Sequence, residues 1–313
     1  MASVRTLQLD RRLDVVGTLR LLHRGRSDPT MRLSARIVER ASNTPDGPAA
    51  IRARIGGETV RAEAWGPGAD RLLDGLPAFL GLDDDSGGFE PGLHPLIAAL
   101  ARRRPGLRLG RTGSVFEALV PAVLEQRITG LEAFQAYRRL ILAHGALAPG
   151  PTGLWAPPSA SVVGAMPSFA FPPLGIEPRR GALLRRIASE AARLEAIAEP
   201  ARRPGAGGSG SAELAARLRR YAGIWPWTAA EVTTRALGDP DAVSVGDAHL
   251  SNLVGFALAR EPRASDDRML ELLAPWAGHR QRVIRLLEAS GMAAPRYGPR
   301  IPPRDLRELA RRT

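Results

Sequence analysis

Residues 223–250 read "GIWPWTAAEVTTRALGDPDAVSVGDAHL". The run before them, "AELAARLRRYA" (212–222), is amphipathic at helical spacing, and "TAAEVTTRALG" has the same apolar period. Two short helices joined by "GIWPW" make a helix-hairpin-helix unit. Such a unit turns the backbone N–H groups of the hairpin and the positive end of its second helix toward an anion, and glycine lets a phosphate approach closely. It holds a nucleic acid backbone without reading sequence. An ordinary turn between packed helices has the same pattern and is the commoner case.

Asp247, in "VSVGDAHLSNLVGFAL" (243–258), directly precedes another apolar helix. Aspartate is a favoured N-cap, so this position alone reads as a cap. Its neighbours, "VSVG" and "AHL", are small or apolar, and they place the carboxylate where it is partly desolvated. Asp239 and Asp241, around Pro240 in "LGDPDA", read as turn residues. His249 faces another side of the helix and reads as structural.

Outward from this core, "IRARIGGETVRAEAW" (51–65) alternates Ile51, Ala53 and Ile55 with arginines. It turns at Gly56-Gly57, then alternates Val60, Ala62 and Ala64 with Arg61 and Glu63. That is a β-hairpin with one buried face. "ADRLLDGLPAFLGL" follows with helical spacing and packs on it. The polar "DDDSGG" (83–88) is expected to end a first domain, residues 1–88. Residues 89–313 are expected to be all-α, nine or ten helices on nine periodic segments, with a Pro-broken stretch (148–175) and a loop at 199–211. The fold class is an α+β N-terminal domain, a small antiparallel sheet with a helix, followed by an all-α helix-hairpin-helix domain.

The 313 residues carry 44 basic and 32 acidic side chains, a net charge of +12, and every basic one is arginine. Arginine in place of lysine fits a GC-rich genome, but the excess of base over acid favours a polyanionic partner, most often nucleic acid. There is no cysteine, which excludes disulfides and thiolate metal sites and fits a reducing compartment. No apolar run approaches the roughly 18–20 residues of a membrane span, and the first residues lack the apolar core of a secretory signal. The five histidines are scattered and no phosphate loop, dinucleotide fingerprint or serine elbow occurs, so no metal or cofactor is expected. The expected location is the cytoplasm.

The spacing of hairpin and aspartate resembles the helix-hairpin-helix DNA glycosylase superfamily, and the chain is most similar to its bacterial 3-methyladenine DNA glycosylase II branch. Gly223, Ile224, Trp227, Thr228, Ala229, the "LGDPDA" turn and Asp247 fall on the pattern, and Trp225 stands where the hairpin's second glycine is usual. Upstream, "FEALVPAVLEQRIT" (116–129) resembles the helix and wedge segment, with Arg127 at the place of the side chain that fills the gap of a flipped base. The resemblance implies excision of alkylated purines from double-stranded DNA by a monomer associated with the nucleoid. It makes Asp247 the catalytic carboxylate, Trp227 and Trp276 the pocket aromatics, and Arg127, Gly223, Ile224, Trp225, Thr228 and Ala229 the DNA contacts. Trp65 and Trp155 read as structural. Bifunctional members carry a lysine directly before the hairpin's threonine; here that residue is Trp227, which implies no lyase step. Two alternatives stay open: a non-catalytic DNA-binding protein with the same fold, and a glycosylase of different base specificity.

Overall fold

The alternation around Gly56 folds as the central hairpin of a five-stranded antiparallel sheet. The computed structural model describes residues 2–202 and 210–295; most of the loop expected at 199–211 lies outside them. The strands are β1 (Ser3–Gln8), β2 (Met31–Leu33), β3 (Ile37–Thr44), β4 (Gly47–Gly56) and β5 (Thr59–Trp65), in the order β1-β5-β4-β3-β2. Gly56 pairs with Thr59, so the two-residue turn is Gly57-Glu58, one residue later than the glycine pair suggests. Gly57 takes the positive φ, 59°, that such a turn demands of its first residue. The buried face of the sheet packs on α1 (Val15–Leu19), α2 (Ala69–Asp74) and α3 (Leu76–Phe79), where Leu73, Leu76, Phe79 and Leu80 close a core over Ile51, Ala53, Val60, Ala62 and Ala64.

The rest is helical: α4 (Pro95–Arg103), α5 (Val115–Leu124), α6 (Gly130–His144), α7 (Ala160–Ala165), α8 (Pro178–Ser189), α9 (Ala191–Ala198), α10 (Ser211–Leu218), α11 (Pro226–Leu237), α12 (Leu250–Ala259), α13 (Asp266–Leu273) and α14 (Arg280–Ala289). A two-stranded ribbon, β6 (Ala146–Leu147) and β7 (Trp155–Ala156), interrupts them. That is eleven α-helices among the described residues after the sheet unit. The two beyond the nine periodic segments come from a break at Glu190, which separates α8 from α9, and from α7 inside the Pro-broken stretch, capped by Ser159. None is long and apolar enough to cross a membrane.

Two apolar clusters divide these helices. One is built on α5, buried at every position except Glu117, with α6 and α8 to α11 around it. The other joins α4 to α12, α13 and α14. The chain enters the second cluster with α4, leaves it for the first, and returns after α11. Residues 238–249 are the return crossing, and Asp247 lies on it.

Buried ion pairs fasten the sheet to both clusters. Asp84, within the "DDDSGG" break, is buried and accepts a two-pronged fork from Arg282 at 2.6 Å on each oxygen. Glu117 accepts from Arg40 at 2.7 Å, from the Ser42 hydroxyl at 2.6 Å and from the Asn43 amide at 2.8 Å. Charged groups are tolerated inside a protein when paired and hydrogen-bonded in this way.

Candidate active site

The connection between α10 and α11 reverses at Gly223, whose φ of 98° lies in the left-handed region. Side chains on either side of it, Leu218 and Ile224, are buried in the α5 cluster. The hairpin is also held by its carbonyls. Tyr221 accepts the Ile224 amide at 2.9 Å, Ala222 accepts Arg186 at 2.5 Å, and Gly223 accepts the Gln126 side-chain amide at 2.8 Å. Gln126 gives a second bond, 2.9 Å, to the hydroxyl of Thr228.

Trp225 is extended, φ −94° and ψ 167°, a conformation open to any residue, which is why the position needs no glycine. Its side chain is 60% exposed. Pro226 takes the first position of α11, where its missing N–H is no loss, and the amides of Trp227 and Thr228 follow at the positive end of the helix. Ile224, Thr228 and Ala229 are buried. Their side chains build the hairpin, and the surface of this unit is Ala222, Gly223, Trp225 and Pro226.

Arg127 is exposed on the turn from α5 to α6 and sits at a positive φ of 53°, a strained place for a residue other than glycine. The turn is over-determined. Arg180 donates to the Gln126 carbonyl at 2.5 Å, Gln126 is bonded to the hairpin, and α6 starts with a capping box between Thr129 and Glu132. Gln126 thus ties the turn carrying Arg127 to the hairpin carrying Trp225.

Asp247 is half-buried where the two clusters meet. Its Oδ1 accepts the amides of His249 at 2.8 Å and Leu250 at 2.9 Å, which open α12. Its Oδ2 accepts the indole N–H of Trp227 at 3.2 Å, from α11 in the other cluster. The carboxylate therefore caps a helix and is aimed by a second element at the same time. Three donors fix its plane, and each carboxylate oxygen has two lone-pair directions, so Oδ2 keeps one acceptor direction beyond the indole bond. Gly246, at φ 93°, makes the sharp turn before it and gives its amide to Asp266 at 3.0 Å. Asp239 and Asp241 are turn anchors as the sequence suggests, Asp241 accepting Arg280 and the Gly278 amide.

Trp276 corrects the sequence reading. It is 4% exposed, packed among Ile97, Leu250, Met269 and Leu287, and its indole donates to the Glu90 carbonyl at 2.9 Å. The ring fills the second cluster instead of standing open beside Asp247. Trp227 is the aromatic beside Asp247.

Beneath α11 lies a chain of buried charges that the sequence does not announce. Arg235 reaches Glu125 at 3.1 Å and Glu231 at 2.6 Å, and Arg24 from the sheet unit reaches Glu125 at 3.3 Å. Burial raises the Glu125 carboxyl, and the Arg235 and Arg24 guanidiniums beside it more than reverse this, so it ends below the ordinary carboxylate value. Burial prevails at Glu231 and pushes it up, against Arg235 and the Ser244 hydroxyl. Among the described residues no cluster of His, Asp and Glu suits a metal ion.

No protein-family model matches the sequence, and no curated protein matches it. Solved structures do. The chain is similar to a 3-methyladenine DNA glycosylase from Archaeoglobus fulgidus, with a TM-score of 0.77 at 19% identity over 92% of this chain and 99% of that one. An 8-oxoguanine glycosylase/lyase from Clostridium acetobutylicum, in its apo form, gives 0.68 at 13% identity over 92% and 98%. A Schizosaccharomyces pombe 3-methyladenine DNA glycosylase in complex with abasic DNA gives 0.51 at 20% identity over 66% and 97%. At these identities the likeness establishes the fold, and the fold is that of the helix-hairpin-helix DNA glycosylases.

Proposed function

We propose that the chain is a monofunctional DNA glycosylase that flips alkylated purines of the 3-methyladenine type out of duplex DNA and hydrolyses their N-glycosidic bonds. The observation that carries this reading is Asp247, held by the Trp227 indole and two helix amides at the junction of the clusters, twenty residues after Trp227 in the hairpin unit. The proposed location is the cytoplasm, on the nucleoid, and the proposed state is a monomer without cofactor.

A base inside the stack is out of reach, so its nucleotide is extruded at a cost of a few kcal/mol, least for damaged pairs. Arg127, projecting from its strained turn, fills the gap, while the amides at the start of α11 and the exposed Trp225 hold the backbone. Cleavage of the bond to the base leaves the sugar with oxocarbenium-like positive charge. Asp247 stabilises that charge as it develops and orients the attacking water. Alkylated purines already carry positive charge, so the leaving base needs little protonation. The half-buried Trp227 ring offers such a cationic base a stacking and cation–π surface.

A lyase step requires an amine to attack the sugar and form a Schiff base. The residue before Thr228 is Trp227, and the sequence has no lysine; a guanidinium stays protonated and does not substitute. The expected product is an intact abasic site, with strand breaks only after alkali. Borohydride trapping of a covalent enzyme–DNA adduct during turnover would show this to be wrong.

Arg127→Ala should slow excision from duplex about tenfold or more, the order of a lost positioning contact, and leave excision from single strands, where no stack needs propping, nearly unchanged. Equal losses on both substrates would reduce Arg127 to a phosphate contact. Specificity is tested with duplexes that each carry one defined lesion, scored for free base. Release confined to methylated purines is expected, whereas release of 8-oxoguanine alone would move the chain to the other substrate class represented among its structural neighbours.

A further inference from the structure

The crossing that carries Asp247 is tethered at a second point. Ser244, three residues earlier, accepts the Asp247 amide on its carbonyl at 3.2 Å. Its buried hydroxyl donates to Glu231 Oε1 at 2.5 Å, and the other oxygen of Glu231 accepts Arg235 at 2.6 Å. Trp227, Glu231 and Arg235 are spaced i, i+4, i+8, one face of a helix, so α11 turns a single stripe toward residues 244–247. The top of that stripe holds the Asp247 carboxylate and the middle holds the turn from which it projects. Arg235, at the bottom, also holds Glu125, the residue directly before Gln126 and Arg127.

We infer that Ser244 and Glu231 are positioning residues that set the place of the Asp247 carboxylate through the turn at 244–247. The inference rests on the reading of Asp247 as the catalytic group. With the Ser244 tether cut, Asp247 keeps its three donors, but the backbone that carries it loses its bond to α11 and keeps the Gly246–Asp266 bond and the packing of Val243 and Val245 on the second cluster. Electrostatic stabilisation of a developing charge depends on placement, and displacements of about 1 Å cost up to about a hundredfold in rate. Substrate binding, which the hairpin and Arg127 provide, is untouched by such a shift.

The test uses the full chain on a methylated duplex, with single-turnover base release at saturating enzyme, affinity for an abasic duplex, and melting temperature all measured. Ser244→Ala is expected to lower the single-turnover rate about tenfold, with affinity unchanged within about twofold. Ser244→Thr, which keeps the hydroxyl, should restore most of the rate. Glu231→Gln, which keeps an acceptor for that hydroxyl, should stay within about threefold of the parent. A Ser244→Ala protein that melts earlier but releases base at the parent rate overturns the inference, as does a Thr variant as slow as the Ala variant. Asp247→Asn run alongside separates the two levels. If it is inactive while Ser244→Ala is not, only the positioning role falls; if it is active, the reading beneath falls and the positioning role with it.

Discussion

Asp247→Asn is expected to reduce base release by about a hundred- to a thousandfold, the loss typical of removing one preorganised electrostatic partner of a transition state. The substitution separates two roles that coincide at this residue. Asparagine is as good an N-cap as aspartate, and its carbonyl can still accept the amides of His249 and Leu250. The negative charge is lost, and at Oδ2 an amide nitrogen now faces the Trp227 N–H, a donor against a donor. Stability should therefore fall by only about 1–2 kcal/mol, the scale of one disturbed hydrogen bond. Affinity for duplex DNA should hold or improve slightly, since one like charge near the phosphates is gone. A variant that loses stability but keeps its rate would leave Asp247 a helix cap and nothing more.

Duplex affinity should fall about a thousandfold or more between 50 and 200 mM salt, as for a protein that neutralises six or more phosphates. The net charge of +12 comes entirely from arginine. Many of the guanidiniums are already engaged with carboxylates inside the structure, Arg235 and Arg282 among them, so the exposed remainder sets the slope. A flat dependence over this range would contradict a duplex substrate.

The parts of the fold written as period were legible. Ile51 to Ala64 alternate and form β4 and β5, and the nine helical segments all fold as helix. β3 was hidden because "IVERAS" buries Glu39 and Arg40, which periodicity assigns to solvent. They are carried inside by Arg32 and Arg52 on one and Glu117 on the other. The break at Glu190 has no glycine or proline to announce it; its carboxylate meets Tyr221 and Arg217 of the hairpin unit instead.

In the site, position alone made Asp247 a helix cap and the family resemblance joined it to the hairpin; the structure adds the bond from Trp227 that links the two. Trp276 could not be assigned from sequence, because an aromatic next to a turn looks the same whether it lines a cleft or fills a core. Glu231 and Arg235 drew no reading from the sequence, because a Glu–Arg pair four apart is ordinary on a solvent-facing helix; the approach of Glu125 from the end of α5 and of Ser244 from the crossing makes them interior. Gln126 was adjacent to Arg127 in the quoted segment, and its role depends on a hairpin ninety-seven residues away.

The most direct measurement is chromatographic detection of free methylated purine from alkylated duplex DNA incubated with the parent protein and with Asp247→Asn. The account predicts base release by the parent, with abasic sites left uncut, and almost none from a variant that binds the same DNA equally well. No release by a parent protein that binds the alkylated duplex would contradict it and leave a DNA-binding protein with a glycosylase fold.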